Sequence, residues 1–100
     1  MVRHVIIWTL RDDLTEQEKT NALIKSKRGL ERLRGRIDGL ERIKVYIDNL
    51  DSSNADMMLD ATFTDEAALA AYQKNPDHLE VAGFIRSVVT DRKCIDYVVL

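Results

Sequence analysis

One hundred residues, 45% apolar and 32% charged, suffice for one globular domain and leave no room for a second. A formal charge of −2 provides no excess positive field for nucleic acid or an anionic membrane surface, and no apolar run approaches the ~20 residues of a membrane span. The single Cys94 cannot close an internal disulfide and no charged-then-apolar leader precedes the first strand, so a cytoplasmic protein is expected.

The chain opens with a run rich in Val and Ile, residues 3 to 10, which suits a strand. Thr15 with Glu18 forms a capping box for a long helix whose inner stripe includes Leu23, Leu30, Leu33 and Ile37, with Gly35 and Gly39 ending it. The basic residues between Lys25 and Arg36 are interleaved with that stripe and read as its solvated back. Gly29, inside the helix, costs stability and points to a close contact. Leu40 to Asp48 alternates, Ile43, Val45 and Ile47 against Arg42, Lys44 and Tyr46. After turn residues 49 to 56, Met57 to Thr64 alternates again, with Met57, Leu59, Ala61 and Phe63 on one face. Two short helices follow, roughly 65 to 73 and 76 to 89, the second started by Asn75 as cap and Pro76 at its first position. Arg92 to Val98 is the closing strand.

Strand, helix, strand, strand, helix, strand is the split βαβ order. The fold class expected is therefore α+β, a ferredoxin-like βαββαβ domain spanning residues 1–100, with an antiparallel four-stranded sheet and its helices on one face. Parity sorts the first strand into His4, Ile6, Trp8 and Leu10 against Val5, Ile7 and Thr9, and the last into Cys94 and Asp96 against Ile95 and Tyr97. Both faces carry apolar residues, whereas a sheet solvated on one side would alternate cleanly. A homodimer with a two-fold interface is expected to cover the second face.

The helix-side face should hold His4, Ile6, Trp8, Leu59, Ala61, Cys94 and Asp96. Ala68, Leu69 and Tyr72 form one inward stripe, and His78, Val81 or Ala82, Ile85 and Val88 or Val89 another, so Tyr72 and His78 look inward together. A chamber with two histidines, a tyrosine, a thiol and a carboxylate among apolar walls is the expected place for a small-molecule ligand. In it a neutral histidine could take a proton from a carbon flanked by carbonyls, while a tyrosine hydroxyl donates to the enolate oxygen.

Three stretches carry a family resemblance: Tyr72-Gln-Lys-Asn-Pro-Asp-His78, Arg92-Lys-Cys-Ile-Asp-Tyr97 and Arg3-His-Val-Ile-Ile-Trp8. Together they make the chain resemble the stress-responsive A/B barrel family, or dimeric α+β barrel proteins, over nearly its whole length. The resemblance implies two sheets packed face to face as a barrel. That family includes polyketide cyclases, monooxygenase-like relatives and members with no assigned activity. In the cyclases it implies Tyr72 and His78 as the catalytic pair for aldol-type ring closure, without a cofactor, and matches His4 and Asp96 to further polar positions. The sequence departs from the cyclase pattern where a helix tyrosine is replaced by Ser26 or Lys27, and where Trp8 and Arg92 alter the tail pocket.

Other readings stand beside this one. Tyr72 and His78 could be satisfied core residues, His78 bonded to Asp96 or to backbone at its helix start. His4, His78, Cys94 and Asp96 could be placed around a metal, although no His-x-x-x-His or Cys-x-x-Cys spacing supports one, and none is expected. Cys94 alone on a strand reads as a small hydrophobe. The functional alternatives are a non-catalytic stress-associated dimer that binds an apolar ligand and a cofactor-independent monooxygenase-like enzyme. An open cavity reaching Tyr72 and His78 would favour an enzyme; one filled by Trp8, Met57 and Phe63 would not.

Overall fold

The computed structural model covers residues 1–100. Its elements are β1 (Val2–Leu10), α1 (Glu16–Glu31), β2 (Leu40–Tyr46), β3 (Met57–Phe63), α2 (Glu66–Lys74), α3 (Pro76–Val88) and β4 (Val89–Val98). Every strand pairing is antiparallel and the spatial order is β2-β3-β1-β4, which is the ferredoxin-like arrangement.

Local chemistry sets the helix boundaries. The Thr15 hydroxyl accepts from the Glu18 backbone N–H while the Glu18 carboxylate accepts from Thr15 N–H, closing the capping box. Asp65 caps α2 through Ala68 N–H, and the Asn75 side chain accepts from Asp77 N–H with Pro76 in the first turn of α3. The long helix is shorter than its pattern implied: α1 ends at Glu31, and residues 32 to 36 continue as turns that carry Leu33 and Ile37 into the core. Its buried face is Ala22, Ser26, Gly29 and Leu30, while Leu23 is only half-buried. Small residues line that face because α3 lies against it. A Cβ on Gly29 would stand 3.0 Å from the Val81 side chain, so glycine is what permits the approach of the two helices.

Sheet parity follows the pleat. Val2, His4, Ile6, Trp8 and Leu10 are buried under the helices with Met57, Leu59, Ala61 and Phe63 beside them. In β2 the buried residues are Leu40, Ile43 and Val45, a spacing of three and then two. A register shift between Leu40 and Arg42 inserts the extra residue. The last strand begins at Val89, three residues earlier than expected, with another register irregularity where it meets Thr9 and Leu10. Beyond Val89 the whole of β4 is exposed, because the helices do not extend over this edge strand as they do over β2 and its other face is uncovered.

The opposite edge, β2, is sealed by α1. Lys27 Nζ donates to the Val45 carbonyl at 2.6 Å and to Glu31 at 2.9 Å, and the Glu31 carboxylate accepts the Val45 N–H at 2.8 Å. Both outward backbone groups of Val45 are thereby satisfied, which removes a template for strand addition. Partial burial opposes ionisation of Glu31, but Lys27 and the Val45 N–H outweigh it, and its pKa lies below the usual 4.5. With the folded pKa below the unfolded value, this stabilisation is present above about pH 4.5 and disappears as pH falls through the folded pKa. Glu31→Gln should lower stability by about 1 kcal/mol at pH 7 and by little at pH 3. Thermal melts at the two pH values check this; an unchanged gap would show that the carboxylate charge plays no part.

Candidate functional site

The helices cover β3 and β1 and leave a cavity of about 460 Å3 on the β4 side, within the range of small-molecule sites. Ile6 and Trp8 of β1 and Leu59 of β3 form its floor, Leu30 of α1 and Ala82 and Ile85 of α3 its apolar walls. Tyr72 and Gln73 of α2, with His78 from the start of α3, supply the polar wall, and Arg86, Asp91 and Arg92 border it as well. Ile6, Trp8, Leu59, Tyr72 and His78, all anticipated in the chamber, lie on this cavity. Met57 and Phe63, expected to fill it if closed, are core residues away from its lining.

Tyr72 and His78 come together because α2 stops at Lys74, one residue short of the Asn75-Pro76 start of α3. Pro76 cannot continue α2, so the chain turns and His78 is returned over the last turn of the helix that carries Tyr72. The two rings lie with centroids 4.1 Å apart at 40°. Tyr72 is fully buried, His78 half-buried. Within the protein neither the Tyr72 hydroxyl nor His78 Nδ1 makes a well-formed hydrogen bond, the Gln73 backbone giving the imidazole only a weak contact, although both atoms are shut off from bulk water. Such orphaned groups are uncommon in native interiors and call for an explanation.

The electrostatics of the two rings differ. Burial pushes the Tyr72 phenol well above its ordinary pKa, so it remains a donor throughout the physiological range. Burial and then His4 lower His78, outweighing a hydrogen-bonding contact with the Gln73 backbone that opposes them, and Arg92 adds to the lowering, so its imidazole is neutral at pH 7. A neutral base thus stands beside a protonated acid.

His4 and Asp96 form a pair of their own. They sit opposite each other in the β1/β4 register, and His4 Nδ1 bonds the Asp96 carboxylate. His4 packs edge-on to Tyr72, at 6.1 Å between centroids, and to Phe63 at 6.4 Å. Of the two structural partners considered for His78, Asp96 is not one, because strand register hands that carboxylate to His4, while the backbone of Gln73 in the last turn of α2 contacts the imidazole. His4 and Ala61 are buried in the core next to the cavity without lining it. Cys94 and Asp96, expected inside the chamber, are exposed, since no helix extends over this part of the edge strand.

Donor atoms of His4, Cys94 and Asp96 lie within 4.8 Å of one another, a soft-and-hard set that suits a transition metal; His78 is not part of it. Burial and then the Asp96 charge raise the Cys94 thiol above its ordinary value, which makes it a weak nucleophile. Ser26 points inward, fully buried with an unpartnered hydroxyl, and Lys27 turns to β2.

Gln73, Leu79, Arg86, Thr90 and Asp91 line the cavity and were not singled out from the sequence. Their shared signal was position, since each flanks a residue of the two inward stripes or of the closing strand, but none falls on the stripes themselves.

A four-stranded antiparallel sheet in the order β2-β3-β1-β4, covered on one face by its helices, places the chain among ferredoxin-like domains. The chain belongs to the stress responsive A/B barrel domain family, whose profile matches residues 2–99. A comparison with curated proteins finds no match. Among solved structures, a dimeric ferredoxin-like protein of unknown function from Bacteroides fragilis is 24% identical, with a TM-score of 0.91 over 96% of this chain and 93% of its own. A hydroxynitrile lyase from Passiflora edulis is 15% identical, with a TM-score of 0.75 over 99% of this chain and 93% of that one. A putative antibiotic biosynthesis monooxygenase from Nitrosomonas europaea is 17% identical, with a TM-score of 0.79 over 100% and 99%. At these identities the likeness establishes the fold.

Proposed function

We propose that the protein is a homodimer whose subunits each bind a small, mostly apolar carbonyl compound in the cavity, with His78 as general base and Tyr72 as general acid in cofactor-free, polyketide-cyclase-like chemistry. The observation that carries the reading is the pair of unpartnered buried polar atoms, Tyr72 Oη and His78 Nδ1, on rings 4.1 Å apart that line a common cavity. A purely structural pair would have its hydrogen bonds satisfied. Of the unpartnered buried atoms, these two belong to residues on the cavity lining, which supports a role toward a ligand.

The mechanism follows from the protonation states. His78, neutral, removes a proton from a carbon between two carbonyl groups. The electron pair moves onto the adjacent carbonyl oxygen, and Tyr72, kept protonated by burial, donates to that oxygen as charge develops. Apolar walls exclude water and strengthen both interactions. The enolate then attacks a second carbonyl of the ligand, and the proton held by His78 returns to the new alkoxide.

The dimer rests on the uncovered sheet face, where Ile7, Tyr46, Ile95 and Tyr97 are exposed. Solved relatives from Bacteroides fragilis, Thermobifida fusca and Jannaschia sp. are described as dimeric.

Tyr72→Phe separates the functional reading from the structural one. Removing an unpartnered buried hydroxyl should leave the melting temperature unchanged or raise it, since the desolvation cost of that group disappears. The same change, and His78→Ala, should abolish acceleration of hydrogen–deuterium exchange at C2 of ethyl 3-oxooctanoate, a loss on the order of 100-fold for one acid–base group. Exchange is read by NMR against buffer. Strong destabilisation by both substitutions, with no enzyme-dependent exchange in the wild type, would overturn the proposal.

A further inference from the structure

We infer that the cavity selects an ionised carboxylic acid, its carbon skeleton among the apolar walls and its carboxylate held at Arg92. This rests on the proposed cavity reading and adds the ligand's charged group to it.

Arg92 faces Trp8 directly in the β1/β4 register, so its side chain leaves the sheet on the cavity side, the same face as the indole that forms the floor. Arg86, from the last turn of α3, borders the cavity too. Neither guanidinium takes part in any ion pair of the chain. The one carboxylate on the lining, Asp91, is already engaged by Lys93 at 3.0 Å. The lining therefore presents uncompensated positive charge although the chain as a whole is at −2.

The two ends of the cavity ask for different groups. Tyr72 and His78 are uncharged and accommodate a carbonyl oxygen and an acidic C–H. Two guanidiniums on the lining without an ion-pair partner accommodate an anion, and a planar fork matches a carboxylate through two parallel hydrogen bonds. Between them the walls are Ile6, Leu30, Leu59, Ala82 and Ile85, which have no donor for a sugar or a polyol. A ligand with a carboxylate at one end and an apolar, carbonyl-bearing body fits the whole lining. A neutral ester of the same length would bury its apolar part and leave Arg92 without a partner.

Trp8 is the only tryptophan and forms the cavity floor, so its emission reports occupancy directly. Octanoate and methyl octanoate, titrated below their aggregation limits, share one apolar body and differ in charge. On the wild-type protein octanoate should bind at least tenfold more tightly than the ester. Arg92→Gln should weaken octanoate about tenfold and change the ester less than twofold. Arg36→Gln, a control away from this cavity, should change neither. Equal affinity of acid and ester on the wild type, or an acid preference that survives Arg92→Gln, would overturn the charge assignment while ester binding upheld the cavity. Failure of both ligands to shift Trp8 emission would overturn the cavity reading together with this inference.

Discussion

Gly39→Ala should lower stability by roughly 3–5 kcal/mol, the summed cost of a strained backbone and an overpacked contact. Gly39 has φ +81, a conformation that L side chains rarely adopt. An added Cβ would lie 2.5 Å from the Ala68 Cβ and 2.9 Å from the Thr64 hydroxyl, far inside ordinary contact. The residue cannot retreat, because its carbonyl accepts the Thr64 N–H at 2.9 Å and so ties the start of β2 to the exit of β3. Gly35 supplies the matched control, with φ +80 and open space for 4 Å around the place a methyl group would occupy. Gly35→Ala should therefore cost only the backbone part, about 1–2 kcal/mol. For a domain of this size the two variants should differ in melting temperature by roughly 10 °C or more. Equal losses would show that α2 yields to the methyl group and that the contact with Ala68 constrains nothing.

Ile7→Lys should convert the protein from a dimer to a monomer. Ile7 lies at the centre of the uncovered face, paired across the strands with Met58 and Lys93. It is 39% exposed and Ile95 66%, values that a second sheet would bring down by burying both. The rest of the face is prepared for desolvation as well. Asp60 lies between Arg3 at 3.6 Å and Arg42 at 3.4 Å, and the hydroxyls of Tyr97 and Tyr46 accept from those same arginines. Charges tied together in this way can be covered at far smaller cost than isolated ones. A lysine at position 7 would place an unpaired ammonium between two sheets, at a cost greater than a standard interface can absorb. Sedimentation should give about twice 11.5 kDa for the wild type at micromolar concentration and 11.5 kDa for the variant. A wild-type mass of 11.5 kDa at every concentration would overturn the homodimer.

The sequence by itself determined the elements and their faces. Period-two alternation placed His4, Ile6 and Trp8 on the helix side of β1, and the Asn75-Pro76 step placed Tyr72 and His78 on two stripes facing the same interior, because both signals are local consequences of backbone geometry. Where local pattern weakened, the reading weakened with it. In α1 the stripe of Leu30, Leu33 and Ile37 and the close contact at Gly29 were legible, but Leu23 is only half-buried and Ala22 and Ser26 were not read on the inner face, since small residues carry little hydropathy while permitting close helix contact. Only the tertiary structure decided which polar atoms meet. Strand register joined Asp96 to His4 and left Tyr72 and His78 unpartnered, and the edge position of β4 brought Cys94 and Asp96 to the surface and Arg92 to the cavity. Such pairings depend on offsets between strands and on which strand lies outermost, relations between distant segments to which side-chain periodicity within one segment is blind.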